Sequence, residues 1–510
     1  MYAQEISRNT GIPSGDRIRD QLATRESQAG PYGVAERSVV PMKPGNAGGG
    51  KGPQLEINAT SNAEGRLAMS LTTPASIQKL QMALHAKAKE SPGLRFYVLY
   101  DKVYRKDILS HAYLCCKANG GAAGVDGQRF EDIQLYGEER WLDELAQELK
   151  SRTYQPLPVR RVYIPKADGK SKRPLGIPAI RDRVAETAAM LILEPIFEAD
   201  LPPEQYGYRK DRSALDAVRR VHQLVNTGHR EIVDADLSSY FDEVPHAELL
   251  QSLRRRIVDG AMLHLLKMWL EAPVEEIDDR GHRHRSTRNR DEGKGTPQGS
   301  PISPLFSNLY MRRFVLGWKQ LGYDERLEAR IVSYADDFVI CCGHGAEQAL
   351  MAARQIMAKL KLTINETKTR VCRLPEESFD FLGYSIGRCY STKTGKAYLG
   401  TTPSKKRVQH ICREISEATR LQCTQQDAQT VVKTINRKLS GWSNYFCLGP
   451  VSKAYRAIDQ HTTRRLRRWL SAKHKVRAGR IRRYSDDILH AEYGLIELTQ
   501  RTANFPWAKT

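Results

Sequence analysis

Acidic residues are in deficit in this chain of 510 residues: 59 Asp and Glu stand against 80 Lys and Arg, a net charge of +21. That imbalance makes a polyanion the expected partner. Long apolar runs are also missing. The best candidate, AAMLILEPIF, is broken by Glu194 and Pro195, which excludes a bilayer-spanning helix, in line with a mean hydropathy of −0.54. The N-terminal MYAQEISRNTGIPSGDR has no apolar core of the kind a secretory signal needs, so a cytoplasmic protein is expected. Nine cysteines occur as neighbours (Cys115 with Cys116, Cys341 with Cys342) or singly, and never as a C-x-x-C pair. This excludes a zinc knuckle and predicts reduced, mostly buried thiols. There is no G-x-x-x-x-G-K-S/T phosphate loop and no internal repeat.

What is present begins after a leader. Residues 1–71 are rich in Gly, Pro, Ser, Asn and Ala, the composition of a disordered or weakly ordered segment. Helical spacing starts in TPASIQKLQMALHAKAKE, continues through RKDILSHAYLCCKANG and stops in the Gly-rich GGAAGVDG. A helix at GEERWLDELAQELKSRTY follows, then a hairpin at RRVYIPKADGKSKRPLGIP that turns at Asp168 and Gly169. RDRVAETAAMLILEPIFEAD reads as an amphipathic helix behind an Asp182 cap. Strands and helices then alternate, predicting an α+β unit with a mostly antiparallel sheet. DDRGHRHRSTRNRDEGK at 278–294 reads as an extended hairpin, and His282 and His284 within it lack the partners a metal site needs. Beyond Pro403 the chain turns helical and basic. From His461 to Arg483 it carries ten Lys or Arg and no acid.

SYADDFVICC at 333–342 sets Asp336 and Asp337 inside an apolar, β-branched and aromatic run. Taken alone it is a strand, an Ala-Asp-Asp turn and a strand, its acids pointing at water. Earlier in the chain, however, IVDADLSSYFDEV places Asp236 at the end of another apolar strand. Two such strands side by side gather three carboxylates at one sheet edge, and charges that close stay ionised only with a cation among them. Oxygen-only ligands favour Mg²⁺ over zinc or copper. Two Mg²⁺ ions about 3.5 to 4 Å apart support phosphoryl transfer, one activating a 3′-hydroxyl and the other steadying the pyrophosphate. Together with the basic charge, this favours a nucleotidyl transferase over a hydrolase.

YADD (334–337), DLSSYFD (236–242), GTPQGSPISPLFSNLYM (295–311), RPLGIP (173–178), LTINETKT (362–369) and FDFLGY (379–384) resemble the ordered motifs of reverse transcriptases. They are most similar to those of enzymes encoded by bacterial group II introns, and KLSGWSNYF (438–446) resembles the thumb, or maturase, segment of those proteins. The resemblance covers residues 73–483. It implies an α+β right-hand polymerase: an N-terminal extension and helical/β fingers at 72–230, an antiparallel-sheet palm at 231–395, an all-helical thumb at 396–455, and a basic DNA- or RNA-binding region at 456–510.

Roles follow from the same resemblance. Asp236, Asp336 and Asp337 correspond to the metal-binding triad for two Mg²⁺ ions, with the Leu237 carbonyl as a further ligand. Phe241 stands where the family keeps a ring that leaves no room for a 2′-hydroxyl, implying dNTP substrates; alone, it reads equally as a core ring. Gln298 lies in the floor under the incoming base pair, or simply in a rigid loop before a helix. Lys166, Lys172 and Arg173 would grip the triphosphate. Lys368 matches a lysine that protonates the departing pyrophosphate, though by spacing it is a solvated helix-end lysine.

Lys405, Lys406, Arg407, Arg437 and Lys438 are expected to track phosphates, continued by Arg464, Arg465, Arg467 and Arg468, while Trp442 and Tyr445 pack the helical core. The expected partners are group II intron RNA, an RNA template with a DNA primer, target DNA and dNTPs, with no membrane; a homodimer stays open. The chain stops without the paired C-x-x-C motifs of a zinc-bearing nuclease, so the expectation is insertion with a primer borrowed from elsewhere, such as a replication fork. Alternative readings are a domesticated enzyme of phage defence or repair, a splicing-only maturase, and a glycosyltransferase using Asp234 and Asp236 as a D-x-D motif. The last leaves the other motifs and the charge unexplained.

Overall fold

The structure, a computed structural model, describes residues 72–165, 172–278, 280–391 and 393–501. The leader expected at 1–71, and the hairpin turn carrying Lys166, Asp168 and Gly169, lie outside the described residues.

Three long helices open the described chain, α1 (Ala75–Glu90), α2 (Lys106–Asn119) and α3 (Glu138–Ser151), with the shorter Tyr100–Val103 and Phe130–Tyr136 between them. α2 ends where Gly120 adopts φ +64, a conformation glycine reaches without a Cβ penalty. A ribbon of β1 (Val159–Pro165) and β2 (Lys172–Ile177) leads into α4 (Ile180–Glu198). Asp182 does not cap α4. Ala179 holds that position, and Asp182 is buried one turn in, accepting from the Tyr154 hydroxyl at 2.6 Å and the Leu157 amide at 3.0 Å. Burial with two donors outweighs the cap, because an unpartnered carboxylate at that depth would be costly.

Next come α5 (Ala214–Asn226), β3 (Glu231–Ala235), α6 (His246–Arg254) and α7 (Gly260–Glu271). The expected basic hairpin forms as β4 (Val274–Ile277) with β5 (Arg283–Ser286), and β4 extends the β1–β2 ribbon in parallel. It is shorter than its sequence suggested, since Arg288–Asp291 turns helical. α8 (Ser303–Gln320), the hairpin β6 (Ala329–Tyr334) and β7 (Asp337–Cys342), and α9 (Ala346–Lys359) follow. β8 (Arg370–Arg373) and a three-stranded sheet of β9 (Phe379–Phe381), β10 (Tyr384–Tyr390) and β11 (Ala397–Pro403) complete the mixed region. The chain then runs through α10 (Lys405–Ala418), α11 (Ala428–Tyr445) and α12 (Ser452–Lys473). The boundary expected between 455 and 456 falls inside α12, and one apolar cluster joins Ile411 to Leu498 across it.

The architecture is α+β. Its central sheet has the order β6-β7-β3-β8, antiparallel throughout. Phe338, Ile340 and Cys342 of β7 join the cluster that includes α8 and α9, while Val339 and Cys341 join the cluster under α5 and the β9–β11 sheet. Both faces are therefore covered, which explains a continuous apolar run where a half-exposed strand would alternate. Among the described residues no helix is long and apolar enough to cross a membrane.

Candidate active site

β3 and β7 pair with Ala235 opposite Phe338, so the next step along the ladder sets Asp236 beside Asp337. Only Ala335 and Asp336 join β6 to β7, and this tight loop takes Ala335 to φ +58. The three aspartates thus meet at one sheet edge. The tip is braced from a neighbouring segment: the Ser333 amide donates to the Glu204 carbonyl at 2.9 Å, and the Tyr206 amide to the Ser333 carbonyl at 2.8 Å. A Cβ on Gly207 would lie 2.4 Å from the Ala335 nitrogen, so only glycine fits against the tip.

Asp236 already has a cationic partner. Lys368 Nζ lies 2.9 Å from its Oδ2, and Asn365 Nδ2 donates to the same oxygen at 3.2 Å. The Asn365 amide donates to the Asp236 carbonyl at 2.8 Å, and the Ser238 amide to the Thr363 carbonyl at 2.9 Å. Leu237 and Ile364 form the bridge between these bonds, a geometry that leaves the Leu237 carbonyl outside the pair.

Removal from water raises the carboxyl of Asp336 above its ordinary range, with the Asp236 charge adding to the rise and Arg173 and Lys368 opposing it. Asp337 is raised by the same crowding, then by Asp336, Asp236 and Asp234, again against Arg173. Asp336 is half-buried, and Asp337 is crowded by protein on one side and open to solvent on the other, so the site is an open cleft rather than a sealed cavity. Among the described residues no three acidic, His or Cys groups stand close enough to grip one ion as the side chains lie, and the Lys368 ammonium is the cation at Asp236. The donors nonetheless suit a hard divalent ion: all oxygens, with negative charge accumulated at one edge.

Arg173 on β2 reaches the electrostatic field of Asp336 and Asp337, whereas Lys172 is exposed. Phe241, in the short helix Tyr240–Glu243, is half-buried and meets Tyr240 edge-on at 5.4 Å. Its carbonyl accepts from the Thr296 amide at 2.6 Å, and the Gln298 carbonyl accepts from the Gly176 amide at 2.6 Å. The Gln298 loop is therefore tied both to the Phe241 turn and to β2. Gly299, at φ +111, has no room for a Cβ, which would fall 2.5 Å from the Gly176 oxygen.

Three residues of this neighbourhood escaped the sequence reading. Glu186 on α4 is buried and accepts from Ser300 Oγ in the Gln298 loop; its one signal is an acid at an apolar-face position. Burial pushes it up to about 8. Asn365 sat inside LTINETKT without a role, and Tyr208 gave no signal beyond an aromatic next to a glycine.

In the helical region the basic residues separate. Lys405, Lys406 and Arg407 are exposed in the first turn of α10, where the helix dipole disfavours cations, and Arg437, Arg464 and Arg468 are exposed as well. Arg465 instead donates to Thr419 Oγ1 at 3.1 Å and to the Ser416 and Thr419 carbonyls at 2.8 and 3.0 Å. Arg467 bonds the Tyr484 carbonyl at 2.7 Å and Asp486, and Lys438 bonds Glu414 at 2.9 Å. Trp442 is half-buried between two clusters, and the Tyr445 hydroxyl donates to the Leu382 carbonyl at 2.7 Å. His282 and His284 both lean on one oxygen of Asp278 at the tip of the β4–β5 hairpin, at 3.3 and 3.1 Å.

The family described as reverse transcriptase (RNA-dependent DNA polymerase) matches residues 164–386, and the maturase-specific domain of group II introns matches residues 408–485. Protein YkfC of Escherichia coli is 34% identical over 368 residues, covering 65% of this chain and 93% of that protein. The group II intron-encoded protein LtrA of Lactococcus lactis is 28% identical over 352 residues, 57% of each chain, so the present chain spans little more than half of that relative. A solved partial Cas6-RT-Cas1–Cas2 complex aligns with a TM-score of 0.31 at 24% identity, over 51% of this chain and 41% of that one, too distant to carry an argument.

Proposed function

This chain belongs to the family of reverse transcriptases and maturases encoded by group II introns, RNA-directed DNA polymerases, and from that premise we propose that Asp236, Asp336 and Asp337 are its catalytic carboxylates. The observation that carries the reading is their meeting at one edge of a sheet covered on both faces, with Arg173 nearby. They and the Leu237 carbonyl would hold two Mg²⁺ ions, which when bound activate the primer 3′-hydroxyl and neutralise the pyrophosphate.

The protein's own groups do the rest. The buried strands fix the aspartates so that no reorganisation is needed as charge develops. Arg173 and Lys172 hold the triphosphate. Phe241 closes the space a ribose 2′-hydroxyl would take, and the Gln298 loop supports the base pair. Lys368 leaves Asp236 as the substrate enters and gives its proton to the departing pyrophosphate. In this reading residues 72–230 are fingers, 231–395 the palm and 396–455 the thumb, with 456–510 a further basic nucleic-acid surface.

Primer extension on an RNA template with dNTPs and Mg²⁺ is the test. The wild-type protein extends and Asp336→Asn does not; extension that survives the substitution sinks the assignment. The natural RNA partner is proposed to be the group II intron that encodes the protein, whose splicing it assists. Folding the nucleotides that flank its reading frame decides this: an intron-free locus would move the biology to phage defence or repair with the chemistry unchanged.

A further inference from the structure

Among the residues bordering the carboxylate cleft, Tyr208 carries backbone strain. Its φ of +56° lies in the left-handed region, which a bulky side chain rarely adopts and which is kept only where the surroundings enforce it. They do so on both sides. Gly207 abuts the β6–β7 tip, and its carbonyl accepts from Asn308 Nδ2 at 2.9 Å. The Arg209 side chain, 5% exposed, clamps the Glu198 carboxylate and donates to the Pro202 and Gln205 carbonyls, both at 2.8 Å. Between these locks the tyrosine stays 36% exposed, within the electrostatic reach of Asp336, Asp337 and Arg173. Among the described residues its hydroxyl has no hydrogen-bond partner. A ring on a strained backbone, held beside the carboxylates with a hydroxyl that no described residue bonds, is placed for a ligand.

Resting on the polymerase reading above, we propose that Tyr208 gauges the terminal base pair of primer and template, its hydroxyl donating to the minor-groove acceptor of the primer's last nucleotide. An enzyme that copies any sequence must touch features shared by all correct pairs. The minor groove supplies one: purine N3 or pyrimidine O2, an acceptor common to A·T and T·A and retained in G·C. A mispair displaces that acceptor. The phenol is the matching donor, and an ordinary tyrosine, with a pKa of about 10, keeps its proton at working pH. Its task is distinct from that of Phe241, which meets the sugar of the incoming nucleotide.

The test pairs a protein deletion with a nucleotide deletion. Wild type and Tyr208→Phe each extend primers ending in deoxyguanosine or in 3-deazadeoxyguanosine, which lacks N3. Wild type should lose about tenfold in kcat/KM on the deaza primer, the worth of one hydrogen bond of about 1.4 kcal/mol. Tyr208→Phe should extend both primers at the lower rate and extend mismatched termini more readily relative to matched ones. Equal deaza penalties in the two proteins overturn the gauge. Failure of wild type to extend any primer is a different result, since it overturns the polymerase reading itself. Tyr208→Phe keeps the ring and its packing and should melt within a few degrees of wild type; a large drop in Tm would make the hydroxyl a structural group instead.

Discussion

The sheet edge at Asp236, Asp336 and Asp337 and the helical region after Pro403 both concentrate charge, but they treat it in opposite ways. At the sheet edge like charges are pressed together, with one lysine and a nearby arginine to offset them. In the helical region many of the cations are already spent inside the fold: Arg465 ties the last carbonyls of α10, Lys473 ties loop carbonyls, Arg467 ties Tyr484 and Asp486, and Lys438 ties Glu414. Unsatisfied charge marks a place where something must bind, whereas satisfied charge marks a joint. A run of ten basic residues therefore overstates how much positive charge is free, and two aspartates in a turn understate how much negative charge is gathered.

The sharpest break in that comparison is chemical. Asp336→Asn keeps shape and removes charge, and should lower primer extension by more than about 10³-fold while leaving the Tm within a few degrees. Loss of activity through unfolding, read by circular dichroism, would blur the contrast.

Glu186 tests what burying an acid costs where no cleft relieves it. Its folded-state pKa is raised from 4.5 to about 8, so the folded protein holds a proton that the unfolded chain releases. Stability therefore declines as pH rises through that window and levels off above it. Glu186→Gln keeps the Ser300 contact and should flatten this dependence, gaining on the order of 2 to 4 kcal/mol at pH 9 in urea melts.

On the helical side, Arg465→Ala leaves the Ser416 and Thr419 carbonyls without their donor and should cost about 1 to 3 kcal/mol of stability with little loss of RNA affinity per folded molecule. The smallest effect is the complement: Arg464→Ala with Arg468→Ala should leave the Tm unchanged and reduce the salt-dependence slope of RNA binding by about 2. An unchanged slope would mean that these exposed cations are solvated face rather than interface.

Much of the candidate site was legible because its motifs are local. SYADDFVICC, IVDADLSSYFDEV and GTPQGSPISPLF each carry apolar anchors and punctuation that announce a strand end, a turn or a rigid loop. The α+β alternation and the helical C-terminal region were visible for the same reason. Asp182 was misjudged because helix-start statistics place acids at caps, while here a tyrosine hydroxyl from a distant segment makes burial the better state. Glu186 and Tyr208 were illegible because each acquires its meaning from a partner far along the chain: Ser300 for one, the β6–β7 tip for the other.

The sequence alone determined that this protein carries an excess of positive charge, that three aspartates sit at strand ends, and that the motifs around them belong to one polymerase family. Those are properties of composition and of short segments, set by local backbone preference and side-chain chemistry. Only the tertiary structure decided that the aspartates share one edge, that Lys368 and Asn365 hold Asp236, which arginines remain exposed, and that Tyr208 is held strained beside the cleft. These depend on strand register and packing between residues far apart in the chain, where burial sets the worth of every charge.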